Sequence, residues 1–152
     1  MKKRVLIVLL SLPMVTFASG SINLNGPKGY LLPTGSMKIN SLKFSPSNAG
    51  TNQVSLAGSL LTGLTLAAPN GKALRDGTYH GATKIPLPSS GSPVLILGIG
   101  DRVCNQITGD FDINSIKWQH SNSSLSTLQS LRATFHMNCD SEVIDGSVQY
   151  DA

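Results

Sequence analysis

The chain has 152 residues, of which 40% are hydrophobic and only 13% are charged, and its formal net charge is +4 at pH 7. Three of the 12 basic residues are Lys2, Lys3 and Arg4, so without that segment nine basic residues stand against eight acidic ones. The positive balance therefore belongs to the amino-terminal segment and gives no reason to expect nucleic acid as a partner.

The first element in chain order has the pattern of an export signal. Residues 2–4 are positively charged, residues 5–17 form an apolar run, and small residues precede a predicted cleavage site after Ala18. We predict a signal peptide over residues 1–18 and one secreted domain over residues 19–152, with no membrane span in the mature form. The predicted location is the periplasm or the cell exterior.

Short alternating segments separated by Gly, Pro, Asn and Ser follow throughout the remaining chain. The alternation predicts strands rather than helices, and the low charge is typical of an all-β protein. We predict an antiparallel β-sandwich of the jelly-roll type. Residues 37–44 have mixed parity, which indicates a bulge or an edge strand, and residues 94–97 are apolar on both faces, which indicates a central strand. The last strand patterns are residues 132–139 and 144–150.

The two cysteines each lie beside a strand pattern. Ala133, Phe135, Met137 and Cys139 fall on one face of their segment, which directs the cysteine inward. In an exported chain the simplest arrangement is one disulfide, Cys104–Cys139. The alternative is two free buried thiols.

Trp118 is the first candidate for ligand binding. Its parity differs from that of Phe111 and Ile113, so either a bulge near Asn114 and Ser115 returns it to the core or its ring lies on the opposite face. In the second case the ring would offer a stacking surface for a sugar or peptide. The polar neighbours would then contribute hydrogen bonds, namely Gln119, His120 and Asn122.

A second candidate is the polar side of residues 132–139, formed by Arg132, Thr134, His136 and Asn138. Such a side is typical of a strand that simply faces solvent. As a functional surface it would contact a partner protein, and His136 would make that contact sensitive to pH near neutrality.

An ordered set of short motifs runs from Leu66 to the end of the sequence. It comprises Ala67-Ala68-Pro69, Gly77-Thr78-Tyr79, Cys104-Asn105 followed by Thr108-Gly109 and Phe111, Phe135 followed by Cys139, and Gly146-Ser147-Val148-Gln149-Tyr150. The set resembles a small disulfide-bearing β-domain of secreted bacterial proteins, which is often the last module of a longer chain. The resemblance implies a disulfide-stapled β fold and export, and it implies no reaction.

The remaining patterns do not indicate catalysis, a cofactor or a metal. Asp110, Asp112 and Asn114 have the opening spacing of a calcium loop, but Ser115 and Ser121 stand where that loop needs Gly and Glu. The sequence has no nucleophile elbow. We predict a non-catalytic binding or interaction protein that is exported by a bacterium and recognises carbohydrate or a host or envelope protein. A structural protein of the envelope or matrix is the alternative, and a small secreted hydrolase is the third.

Overall fold

The computed structural model describes residues 18–45, 50–85, 91–120 and 126–152. The predicted signal peptide, residues 1–18, lies outside these ranges apart from Ala18. Regular structure in the described ranges consists of strands and one 3-10 turn, Pro69–Gly71. The strands are β1 (Ser19–Asn25), β2 (Met37–Asn40), β3 (Lys43–Phe44), β4 (Gln53–Ala57), β5 (Leu61–Ala67), β6 (Gly77–Thr83), β7 (Val94–Ile99), β8 (Arg102–Val103), β9 (Ile107–His120), β10 (Ser126–Cys139) and β11 (Glu142–Asp151).

All of these strands belong to one curled sheet, a half-barrel, in the order β2-β1-β11-β10-β9-β6-β7-β5-β4-β3, with β8 added beside β7. The prediction of an all-β fold is confirmed. The antiparallel jelly-roll sandwich is not confirmed, because the described strands form a single mixed sheet. Nine of its ten pairings are antiparallel, and the pairing of β6 with β7, at Thr83 and Val94, is parallel.

The curl of the sheet follows from the connection between β2 and β3. These two strands lie at opposite ends of the sheet order, yet only Ser41 and Leu42 separate them along the chain. Three Cα steps span at most about 11 Å, so the two ends of the sheet must approach each other. Ser41 turns the chain with a φ of 62°. The mixed parity of residues 37–44 therefore marks a change of sheet edge within what the sequence presented as one strand.

The long strands β9, β10 and β11 follow the predicted alternation. Ala133, Phe135, Met137 and Cys139 of β10 are buried, and the residues between them face outward. Phe135 lies opposite Gly146 of β11, and a Cβ at Gly146 would overlap the Phe135 ring. These two residues, which belong to separate motifs of the sequence, therefore pack against each other.

Cys104 and Cys139 form a disulfide with a Cα–Cα distance of 5.4 Å, so the alternative of two free thiols is wrong. Both cysteines are buried in the apolar core, which receives side chains from strands along the whole sheet. Among the described residues no charged or polar residue is fully buried. The disulfide joins the segment before β9 to the end of β10, so it fixes one end of the β9–β10 pair.

Candidate functional site

A two-residue turn connects β10 to β11 beside the disulfide. Its residues, Asp140 and Ser141, have positive φ angles of 49° and 86°. Paired positive φ angles are those of a type I′ hairpin, in which Gly is usual and Ser is strained. The Ser141 N–H donates to the side-chain carbonyl of Asn138 over 3.0 Å, which helps to hold this conformation.

The Asp140 carboxylate ties this turn to the segment after Cys104. Oδ2 accepts the backbone N–H of Asn105 and Oδ1 accepts that of Gln106, both over 2.8 Å. These two N–H groups hold the pKa of Asp140 below its usual value, because they stabilise the ionised carboxylate. The segment after Cys104 and the turn after Cys139 are therefore held together twice, by the disulfide and by the Asp140 carboxylate.

Glu142 performs a similar task for the segment between β1 and β2. Its carboxylate accepts the backbone N–H of Tyr30 over 2.6 Å and that of Leu31 over 3.3 Å. The carboxylate passes so close to Gly29 that a Cβ there would displace it from its present position. Glu142 therefore fixes the backbone of Tyr30, while the Tyr30 residue remains 54% exposed.

Arg102 completes this arrangement from the other half of the sheet. Its Nη1 donates to the Tyr30 carbonyl over 2.9 Å, and its guanidinium lies 5.9 Å from the centre of the Tyr30 ring. We call the surface formed by Tyr30, Arg102, Asn105, Gln106, Asp140 and Glu142 the disulfide end. It contains two adjoining depressions that share Asp140, one lined by Tyr30, Asn105, Cys139 and Glu142, the other by Gln106, Thr108, Asn138 and Ser141.

The structure places Trp118 against the core. A bulge at Asn114 shifts the register of β9, so that Trp118 lies opposite Leu128 and its ring meets Phe44 edge to face at 6.3 Å. Its Nε1 is buried and has no hydrogen-bond partner among the described residues. These contacts agree with the first alternative, in which a bulge near Asn114 returns the side chain to the core.

Gln119 and His120, two of the polar residues predicted to accompany Trp118, make hydrogen bonds away from its ring. Gln119 is exposed and accepts a hydrogen bond from Gln129 Nε2 over 2.9 Å, whereas His120 Nδ1 lies 3.2 Å from Ser126 Oγ. Asn122 lies outside the described residues. The described part of this cluster therefore presents polar side chains at the surface, while the indole N–H of Trp118 is buried.

Arg132 and His136 lie on the same side of β10, as predicted. Arg132 donates to Asp151 over 2.8 Å, and His136 Nδ1 lies 2.6 Å from Asp145. A shallow depression of about 190 Å³ adjoins Arg132, with Ser21, Asn23, Asn114, Thr134, Ser147 and Gln149 among its lining residues. We call this side of β9, β10 and β11 the outer face. Its side chains are solvated and paired within the sheet.

A second histidine, His80 of β6, lies beside the outer face, next to Asp110, which is paired with His136 across β9 and β10. His80 Nδ1 lies 3.5 Å from Asp110, which also accepts the Gly81 N–H over 2.8 Å. That N–H, with a smaller contribution from His80, holds the pKa of Asp110 below its usual value. In the described ranges, no group of three or more His, Cys, Asp or Glu side chains is placed to hold a metal ion.

Sequence reasoning missed the disulfide end, because its contacts join residues that share no local motif. Glu142 and Tyr30 are 112 positions apart, and Arg102 and Tyr30 are 72 apart. One signal was present. Cys139 and Ile144 both point inward and belong to successive strands, so the few residues between them must include a tight turn, which the structure places at Asp140 and Ser141.

Comparisons with protein-family models, curated proteins and solved structures find no match for this chain. The resemblance to the disulfide-bearing β-domain therefore stays a prediction. Within the described residues, no helix has the length and hydropathy needed to cross a bilayer.

Proposed function

We propose that this chain is an exported, non-catalytic bacterial protein that binds carbohydrate through the disulfide end. The observation that carries the proposal is the fixed position of Tyr30. Glu142 holds the Tyr30 backbone N–H, Arg102 holds its carbonyl, and the residue remains more than half exposed beside a polar depression. An aromatic ring held rigidly among amide and carboxylate groups is typical of sites that recognise sugars.

The proposed export rests on the signal pattern of residues 1–18 and on the disulfide. Disulfides form and persist in oxidising compartments such as the periplasm and the cell exterior. The rigidity that the disulfide and the Asp140 carboxylate give to this surface also favours binding, because little conformational freedom remains to be lost when a ligand is bound.

A glycan array with the oxidised mature protein tests the proposal. Tyr30→Ala removes the ring, whereas Lys117→Ala alters an exposed residue at the opposite end of β9 and is the matched control. We expect saturable binding that Tyr30→Ala abolishes and Lys117→Ala preserves. Absence of any glycan binding by the folded protein would contradict the proposal.

A protein partner on the outer face is the second candidate function, favoured by the depression beside Arg132. Capture of a host or envelope protein that is lost with Arg132→Ala and His136→Ala, but not with Tyr30→Ala, would move the recognition site to that face. Retention in cell-surface fractions without a saturable ligand would instead support the structural alternative.

A further inference from the structure

The disulfide end has more acceptor capacity than its own backbone uses. A carboxylate offers about four acceptor positions. Within the described residues Glu142 receives two N–H donors, while Asp140 receives two backbone N–H groups and a longer contact from the Asn105 amide. Both carboxylates therefore retain lone pairs at a surface where donors from a ligand can reach them.

Charged side chains of both signs lie at or near this surface, and the cations donate to backbone carbonyls. The Arg102 guanidinium donates to the Tyr30 carbonyl and lies 4.0 Å from Asp101, and the Lys84 ammonium donates to the Cys104 carbonyl over 2.6 Å. Asp140 and Glu142 supply fixed negative charge close to the depressions. Asp140 and Glu142 would repel an anionic ligand, and Arg102 and Lys84 would repel a cationic one, so an uncharged ligand is favoured.

The Tyr30 ring adds an apolar, electron-rich surface next to these acceptors. The C–H groups on one face of a pyranose carry partial positive charge and pack against such a ring. The hydroxyl groups at the edge of the same sugar are donors that suit carboxylate lone pairs. Tyr30, Asp140 and Glu142 all line the depression that contains Asn105.

We infer that the ligand of the disulfide end is an uncharged saccharide, which stacks on Tyr30 and donates hydroxyl hydrogen bonds to Asp140 and Glu142. This inference rests on the proposed function and adds the chemical class of the ligand. The Asn105 side-chain amide, which lies 3.4 Å from the Asp140 carboxylate and lines the same depression, positions the sugar by donating to one of its oxygens and accepting from another.

The experiment compares three classes of oligosaccharide on the oxidised mature protein by titration calorimetry. The classes are neutral gluco-, manno- and galacto-oligosaccharides, anionic sialylated or uronate oligosaccharides, and cationic oligomers of deacetylated glucosamine. Each is measured at low and high NaCl with wild type, Tyr30→Ala, Tyr30→Phe and the Lys117→Ala control. Tyr30→Phe keeps the ring and removes only the hydroxyl.

We expect a neutral saccharide to bind with a Kd that changes less than about twofold with salt, since no charge pair is formed with it to be screened. Tyr30→Ala should weaken that binding by about tenfold or more, whereas Tyr30→Phe should stay within about threefold of wild type. Preference for an anionic or cationic saccharide, with Tyr30-dependent and salt-sensitive binding, would overturn the inference and leave the proposed function standing. Unchanged glycan binding by Tyr30→Ala would overturn both the inference and the proposed function.

Discussion

Removing the disulfide should cost the protein a large part of its free energy of unfolding. Cys104 and Cys139 are separated by 35 positions, so the bond closes a loop of about 36 residues in the unfolded chain. On the chain-entropy model this cross-link lowers the entropy of the unfolded state enough to contribute about 4 kcal/mol at 25 °C. Domains of this size are stable by about 5 to 15 kcal/mol, so the loss should be visible at once.

The assay is urea unfolding followed by the fluorescence of Trp118, the only tryptophan. Two proteins are compared with the oxidised wild type: Cys104→Ala/Cys139→Ala, and wild type kept reduced. The reduced wild type retains both sulfur atoms in the core, so it separates the loss of the cross-link from the loss of packed volume. We expect both to unfold at lower urea, with a larger m value, because an uncross-linked chain exposes more surface when it unfolds.

A change below about 1 kcal/mol in both proteins would refute this reasoning. It would mean that the unfolded chain keeps residues 104 and 139 close without the bond, through residual structure in the β9–β10 hairpin. A large loss in the double variant alone would show that packing around the sulfur atoms, rather than chain entropy, is the main contribution.

Three further predictions follow from individual contacts. Gly146→Ala should destabilise the fold by about 1 to 3 kcal/mol in urea, because the new Cβ overlaps the Phe135 ring, whereas Gly63→Ala, which meets nothing within 4 Å in the described chain, should cost less. The folded state lowers the pKa of Asp140, so the stability that its carboxylate contributes is complete above the unfolded pKa near 3.8 and is lost as pH falls through the folded pKa. Asp140→Asn should therefore flatten the acid side of a curve of unfolding free energy against pH. An unchanged curve would contradict this. Trp118 should show restricted quenching by iodide in the native state and ready quenching in urea, and Trp118→Ala should destabilise the fold without abolishing glycan binding at Tyr30.

The sequence predicts much of the half of the sheet that contains β9, β10 and β11. The alternation from Ala133 to Cys139 is unbroken, because every second residue of β10 must reach the core there. The bulge at Asn114 was also recognisable, since Phe111 and Trp118 differ in parity and both are large aromatic residues that gain from burial. Periodicity is informative wherever one face of a strand is apolar and the other is polar.

The closure of the sheet and the disulfide end were not predictable in the same way. A run of residues such as 37–44 gives no sign of which neighbours its two halves will pair with, because pairing depends on strands far away in the chain. The contact of Glu142 with Tyr30 likewise depends on the pairing of β1 with β11, which brings the segment after Asn25 to the start of β11. The alternation of apolar and polar residues shows which face of a strand is buried. No such alternation shows which distant residue an exposed carboxylate will contact.

The pairing of β1 with β11 has a consequence for how the chain acquires this structure. Ser19 lies opposite Asp151 and Asn25 opposite Asp145, so β1, the second strand in the sheet order, is paired along its whole length with β11. Until synthesis reaches β11, Ile22 and Leu24 lack the neighbour that buries them. Closure of the sheet around its core therefore depends on the pairing of two strands that are far apart in the sequence, and such non-local pairing is slow to form.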